Sequence, residues 1–225
     1  LQVNNLKVYY YTSKGTVKAV DDISFFLRKG ETLGLVGESG CGKTTTGVAL
    51  LKMPTPPGKI AGGEIIIDGQ NIVELSEKEV RKNVRWEKIA MVFQGAMNCL
   101  TPVYTIGKQM METLTEHKQM NKEDAKKLIV KYLNLVGLPE HIVNRYPHEL
   151  SGGMKQRVVI AMALFLEPKV IVCDEPTTAL DVIVQAQIIN LLKDLKQKLN
   201  LSFIFITHDL ATEAEVSDRI LVMYA

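Results

Sequence analysis

One octapeptide limits what this chain can fold into: Gly37-Glu38-Ser39-Gly40-Cys41-Gly42-Lys43-Thr44. It follows an apolar run, Thr32-Leu33-Gly34-Leu35-Val36, that reads as a strand, and it opens into a helix-like run from Thr45 to Met53. The stretch fits G-x-x-x-x-G-K-[ST] in the strand–loop–helix setting that the pattern requires. Glycines let the backbone curl until several N–H groups converge at the positive end of the following helix. Lys43 then reaches the outer phosphates. The Thr44 hydroxyl suits Mg²⁺, which keeps water and phosphate oxygens as most of its other ligands. A chain of this length meets the pattern by chance roughly 1% of the time, so the loop predicts binding of a nucleoside triphosphate.

The pattern around the loop is that of an α/β fold. Before it, residues 1–35 alternate as strands do: Leu6, Val8 and Tyr10 on one face, then Val17–Val20, then Ile23–Leu27, with turns at Lys14-Gly15 and Lys29-Gly30. After it, Pro54 to Gly58 forms a loop, and Gly63 to Gly69 is β-rich with Asp68-Gly69 as a hairpin signal. Residues 74–88 are charged and predicted helical, and Ile89–Phe93 is a short apolar strand ending at Gln94. From about Gly95 to Gln156 the chain reads as mostly helical. Asn121 is placed to cap a helix with the stripe Ala125, Leu128, Ile129, Tyr132 and Val136, which Gly137 and Pro139 end. A helix from Ser151 to about Phe165 follows, then the apolar strand Val170–Asp174. Val182–Leu199 reads as an amphipathic helix with Ile188, Leu191, Leu192, Leu195 and Leu199 inward; Ser202–Ile206 is a second buried strand, and Ile220–Met223 begins another. Strands and helices in alternation imply a parallel sheet. Residues 95–156 then read as a helical subdomain inserted in that core.

Bulk properties exclude several alternatives. A chain of 225 residues, 46% of them hydrophobic, buries a substantial core. Its net charge of +2 and pI near 8.3 are too mild for a nucleic-acid binder, so no nucleic-acid partner is expected. Cys41, Cys99 and Cys173 are odd in number with no C-x-x-C spacing, which argues against zinc or a disulfide framework and for a reducing compartment. Cys41 is either a small filler of the loop or a thiol whose alkylation blocks it. The longest apolar run, Val158 to Leu166, is far short of the roughly 20 residues a spanning helix needs. These features lead us to expect a soluble, cytosolic chain.

Polar residues at strand ends are the candidates for chemistry, because strand C-termini line the crevice of an α/β sheet. Asp174 is placed to hold the Mg²⁺ shell. Glu175, one residue further out, is placed to polarise an attacking water as a general base. His208, after Ser202–Ile206, either faces the terminal phosphate or is structural. Gln94 either ligates Mg²⁺, orients water, or is simply a polar strand end. Leu150-Ser151-Gly152-Gly153-Met154-Lys155-Gln156-Arg157 is the most informative stretch. Ser151 caps a helix, and Gly152-Gly153 leave its first amides bare, which makes a second anion site. One nucleotide loop and one further phosphate-binding helix end suggest that two copies sandwich the nucleotide.

LSGGMKQR resembles the signature of ATP-binding cassette (ABC) ATPases, and the family pattern continues across essentially the whole chain. The resemblance implies a P-loop NTPase with a RecA-like parallel-sheet core, an N-terminal antiparallel β-subdomain (about 1–72), an inserted α-helical subdomain (about 95–156) and a resumed core (157–225). It implies ATP and Mg²⁺ as ligands. Nucleotide contacts fall on Gly37, Ser39, Gly40, Cys41, Gly42, Lys43, Thr44 and Thr45, and on Ser151, Gly152, Gly153, Gln156 and the D-loop residue Asp181. Metal contacts fall on Thr44, Gln94 and Asp174, and catalysis on Glu175, His208, Lys43 and Gln94. Tyr10 is implied as the aromatic that stacks on adenine, with Tyr11 next and sheet packing as the alternative for either.

A finer resemblance is to the ATPase subunits of the dipeptide and oligopeptide importer group. It rests on Gly37–Lys43, Asn98–Val103, Tyr146–Leu150 and Thr177–Gln185. It implies a head-to-tail pair with an identical or paralogous ATPase subunit, transmembrane permease subunits, and indirectly an extracytoplasmic substrate-binding protein. The implied location is the cytoplasmic face of the membrane. Oligosaccharides and nickel are also carried within that group, so the cargo stays open; a soluble non-transport ABC-type ATPase is the alternative. Two departures stand out. Gly95 replaces the acidic residue usual after the Q-loop glutamine, and the chain ends where that group continues into a C-terminal extension.

Overall fold

The strand of the strand–loop–helix unit around residue 37 lies inside a parallel sheet, one place from its edge. In the computed structural model, which describes residues 1–118 and 120–224, the chain runs β1 (Gln2–Thr12), β2 (Gly15–Phe26), β3 (Thr32–Gly37), α1 (Lys43–Ala49), β4 (Gly58–Ile67), β5 (Gln70–Asn71), α2 (Glu77–Asn83) and β6 (Ile89–Val92). It continues through α3 (Ile106–Lys118), α4 (Lys122–Leu135), α5 (Gly152–Ala163), β7 (Val170–Asp174), α6 (Val182–Leu199), β8 (Ser202–Ile206), α7 (Leu210–Val216) and β9 (Arg219–Met223). Strands β2-β1-β4-β5 form one antiparallel sheet, and β6-β7-β8-β3-β9 form a parallel one.

The parallel strands feed two cores by simple alternation. Ala90, Val92, Ile171, Cys173, Phe203 and Phe205 join the core shared with α3–α6. Their neighbours Ile89, Met91, Val170, Val172, Ile204 and Ile206 face the other way, onto α1 and the antiparallel sheet. Because successive side chains point to opposite faces, a strand covered on both sides must be apolar throughout. Each such side chain stabilises the fold by about 1.5–3 kcal/mol on burial.

Helix ends follow their capping residues. Asn121 Oδ1 accepts from the Glu123 and Asp124 amides at the start of α4, and Gly137 (φ 73°) follows its end. Asp181 caps α6 through the Val184 amide at 2.9 Å, and Asn200 in the left-handed region (φ 52°) closes it. Lys196 and Lys198 in the last turn complement the helix dipole. Asp68 and Gly69 both have positive φ between the paired residues Ile67 and Gln70, as the hairpin signal predicts.

Several expectations need correction. Residues 17–20 and 23–27 are not two strands: β2 is continuous, and Asp22 at φ 65° absorbs the irregularity that looks like a break in sequence. β1 carries register shifts, so Leu6 and Val8 are buried while Tyr10 is only half-buried. The helix after the phosphate loop ends at Ala49, and residues 74–88 hold only the two-turn α2, started by a Ser76–Glu79 capping box. On α6, Leu199, the last residue of the helix, is exposed and Ile189 takes a buried place.

Candidate nucleotide site

Glycines and the strands beside them shape the loop. At Gly42 (φ 93°) a side chain's Cβ would lie 2.3 Å from the Ala19 carbonyl oxygen, and at Gly37 it would lie 2.1 Å from that of Met223. Only glycine allows β2 and β9 to approach the loop this closely. Lys43 Nζ donates to the carbonyls of Gly37 and Glu38, both at 2.7 Å, and lies 3.6 Å from Cys41 Sγ. The ammonium is thus held inside the ring of amides. Cys41 is buried against Gly37 and fills the loop from within.

The ends of the three neighbouring strands supply the acids and their partners. Asp174, the last residue of β7, is buried, and its Oδ1 has no hydrogen-bond partner among the described residues. Burial pushes its carboxyl up from the usual range, with the Thr44 hydroxyl acting in the opposite direction. A buried, unpartnered carboxylate oxygen beside a hydroxyl is a donor pair that suits Mg²⁺, so these residues fit the metal. Glu175 sits at φ 47°, pinned by its amide to the Ile206 carbonyl at 2.8 Å.

Three side chains converge on Glu175. Its Oε1 lies 3.0 Å from His208 Nδ1, while Oε2 accepts from Gln94 Nε2 at 2.8 Å and from Thr178 Oγ1 at 2.9 Å. Burial alone would raise this carboxyl; hydrogen bonds from His208 and Thr178, and the charges of His208 and Lys43, outweigh it and hold it below the usual carboxylate range. Glu175 therefore stays ionised and is aimed into the cleft.

A cleft of about 300 Å³ gathers Ser39, Gly40, Gly42, Lys43, Thr44, Thr45, Gln94, Glu175, Ile206 and His208. A larger hollow of about 700 Å³, beside Val3, Phe25 and Asp68, holds none of the motif residues. Other expected residues lie elsewhere. Tyr10 packs its ring on Gly58, where an added Cβ would lie 2.8 Å from Tyr10 Cε1. Ser151 caps α5 through the Met154 amide at 3.3 Å, while Gly152 rests on Leu180 and Gly153 on Val184. Gln156 is buried in α5, and Asp181 is engaged in capping α6. None of these lines the cleft. Gly95 takes φ 66° ahead of a 3₁₀ turn at Ala96–Cys99, a conformation that favours glycine over the acidic residue expected there. Thr178 is the participant that sequence reasoning missed. Its only signal was its place three residues after Glu175.

The family model described as ABC transporter matches residues 20–178. The chain belongs to the ABC transporter family. Within that family it is 53% identical to the oligopeptide transport ATP-binding protein OppD of Bacillus subtilis, over all of this chain and 63% of that protein. It is 47% identical to the Bacillus subtilis dipeptide transport ATP-binding protein DppD and 49% identical to OppD of Escherichia coli, covering 68% and 67% of those proteins. The ABC chain thus spans about two thirds of the length of these curated relatives.

Among solved structures, the ABC cassette MJ0796, a dimer in a post-hydrolysis state bound to ADP and Pi, superposes with a TM-score of 0.84. Its identity is 30%, over 99% of this chain and 93% of that one. cbiO1 from Clostridium perfringens, part of the ABC transporter complex cbiONQ, gives 0.81 at 30% identity, over 98% and 85% of the two chains. The antiparallel sheet, parallel core and helical segment are those of the ABC ATPase fold.

Proposed function

We propose that this chain binds and hydrolyses ATP as a subunit that powers a membrane importer of dipeptides or oligopeptides. The observation that carries the ATPase reading is the convergence of Lys43, Thr44, Gln94, Glu175 and His208 on one cleft. The cargo reading is supported by identity to OppD and DppD along the whole chain. No helix among the described residues is long and apolar enough to cross a membrane. The proposed work at the cytoplasmic face, against separate permease subunits, follows from the likeness to importer ATP-binding proteins. The helices between residues 95 and 156 are the proposed route by which the cycle reaches them. A substrate-binding protein outside the membrane would supply the cargo.

In this reading Lys43 and the loop amides neutralise the phosphates, and Thr44 and Asp174 hold Mg²⁺. Mg²⁺ held there would supply charge neutralisation at the phosphate oxygens. Glu175 accepts a proton from the attacking water, and Gln94 and Thr178 orient the carboxylate for it. His208, whose side chain is 69% exposed, is free to leave Glu175 and contact the terminal phosphate. Positioned proton transfer of this kind contributes typically about 10²- to 10⁴-fold in rate.

Ser151, Gly152 and Gly153 are not among the residues lining their own chain's cleft and are proposed to close the site of a second subunit, head to tail. Complementation tests this. A Lys43→Met variant and a Ser151→Arg variant should each be nearly inactive. Mixed, they form pairs in which one site has an intact loop and an intact Ser151, so activity should return. Failure of any mixture to exceed the separate variants would count against the shared site.

A further inference from the structure

Glu213 is a carboxylic acid buried where the nucleotide reading has no use for it. It lies in the middle of α7 and is fully buried; its Oε1 accepts from Ser217 Oγ, and its Oε2 has no partner among the described residues. The carboxyl packs directly on the backbone of β3. An added Cβ at Gly34 would lie 1.7 Å from Glu213 Oε1 and 2.7 Å from Ser217 Oγ, so the strand is glycine where the acid rests. Both neighbours lead into the cleft. Gly34 is three residues before Gly37 of the phosphate loop, and Glu213 is five residues after His208.

Among the described residues, no cation answers this acid. On α6, Lys193 pairs with Glu215 at 2.6 Å and Lys196 with Asp218. On β9, Arg219 is bound to Glu31 at 2.8 Å. At the N-terminus of α7, Asp209 is occupied with the amides of Ala211 and Thr212. On β3, Gly34 offers only backbone. The start of β3 is latched to the segment after α7 by Thr32 N to Asp218 Oδ2 at 2.7 Å and Asp218 N to Thr32 O at 2.9 Å. A buried, unpaired carboxylate is costly, so the group is kept neutral instead. Burial pushes its pKa up to about 7, against the smaller effect of the Ser217 hydroxyl.

Resting on the ATPase reading above, we propose that Glu213 is a positioning residue whose protonated form seats α7 on β3 and so sets His208 against the phosphate loop. Ionisation drives the carboxylate toward water, lifts α7 and misplaces His208. The sign follows directly: the neutral form, present at low pH, is the seated one, and hydrolysis falls as pH rises through neutrality.

Two measurements test this on the whole chain. The first is the pH profile of ATP turnover for the wild type and for Glu213→Gln, which is neutral at every pH. A group titrating near 7 is about tenfold less protonated at pH 8 than at pH 6, so the ratio of wild-type to variant kcat should fall about tenfold across that range. A flat ratio overturns the proposal. The second needs no variant. Amide exchange in α7 of the wild type, corrected for the intrinsic effect of pH, should quicken above pH 7 relative to α6. Unchanged relative protection overturns the proposal even if Glu213→Gln does not fold. A wild type that hydrolyses no ATP at any pH defeats the parent reading instead, and α7 exchange still reports whether Glu213 ionises in place.

Discussion

His208 Nδ1 lies 3.0 Å from Glu175 Oε1, which joins the residue proposed to take the proton to the one proposed to touch the phosphate. Gln94 and Thr178 hold the other carboxylate oxygen. The acid is therefore fixed by groups from three separate segments, and its behaviour should report on all of them.

Glu175→Gln should leave ATP binding intact and lower turnover by about 10²- to 10⁴-fold, because the amide keeps the shape but cannot accept the proton. With ATP bound and no hydrolysis, the variant should also accumulate as a dimer. Single-turnover kinetics and size-exclusion chromatography with ATP read both effects, and near-normal hydrolysis would remove Glu175 from the role of base.

The Glu175 carboxyl should titrate below the usual glutamate value of about 4.3, because its partners stabilise the charged form more than burial destabilises it. A lowered pKa means stability that is present above the unfolded value and lost as pH falls through the folded one. His208→Ala removes one partner and should move the pKa upward. Carbon-13 NMR of labelled glutamate side chains checks this; an unmoved Glu175 resonance would mean the 3.0 Å contact does not act on the carboxylate.

Glu31 ties the antiparallel sheet to the parallel one. It is buried, accepts from the Arg28 amide at 2.6 Å and pairs with Arg219 Nε at 2.8 Å. Burial raises its carboxyl, but these bonds outweigh burial and leave its pKa lowered. Glu31→Gln should cost about 1–3 kcal/mol at neutral pH, with Arg219 partly exposed and screened. Since the contribution is lost as pH falls through the folded pKa, the gap between wild type and variant should close in acid. Urea denaturation across pH 3–7 measures it, and a constant gap would refute the assignment.

Tyr10→Ala should weaken ATP binding by about 1–3 kcal/mol while leaving the rate of the bound complex nearly unchanged. The ring already rests on Gly58, at the edge of the sheet that flanks the loop. Unchanged affinity, with the same loss appearing in Tyr11→Ala, would transfer the stacking role to Tyr11.

Much of this was legible in the chain because it is local. The run Gly37–Thr44 needs only its own glycines and the strand before it, and Asn121 and Ser151 cap helices within three residues of themselves. The apolar strands 170–174 and 202–206 declare burial on both faces through composition alone. Register and helix ends were less legible. Asp22 bends a continuous strand without breaking it, and Leu199 falls outside although the period of α6 would turn it in.

What the sequence determined about this protein is therefore its inventory: a glycine-rich loop, two strand-end acids, a histidine and a second glycine-rich helix start capped by Ser151. Tertiary structure decided which of these meet. The order β6-β7-β8-β3-β9 brings Gln94, Glu175 and His208 to one edge beside Lys43 and adds Thr178, to which the sequence assigned no role at the site. The same packing seats Gly152 and Gly153 on Leu180 and Val184, outside their own chain's cleft. Crossovers between strands many residues apart set these distances, and the periods of 2 and 3.6 by which a sequence is read do not reach that far.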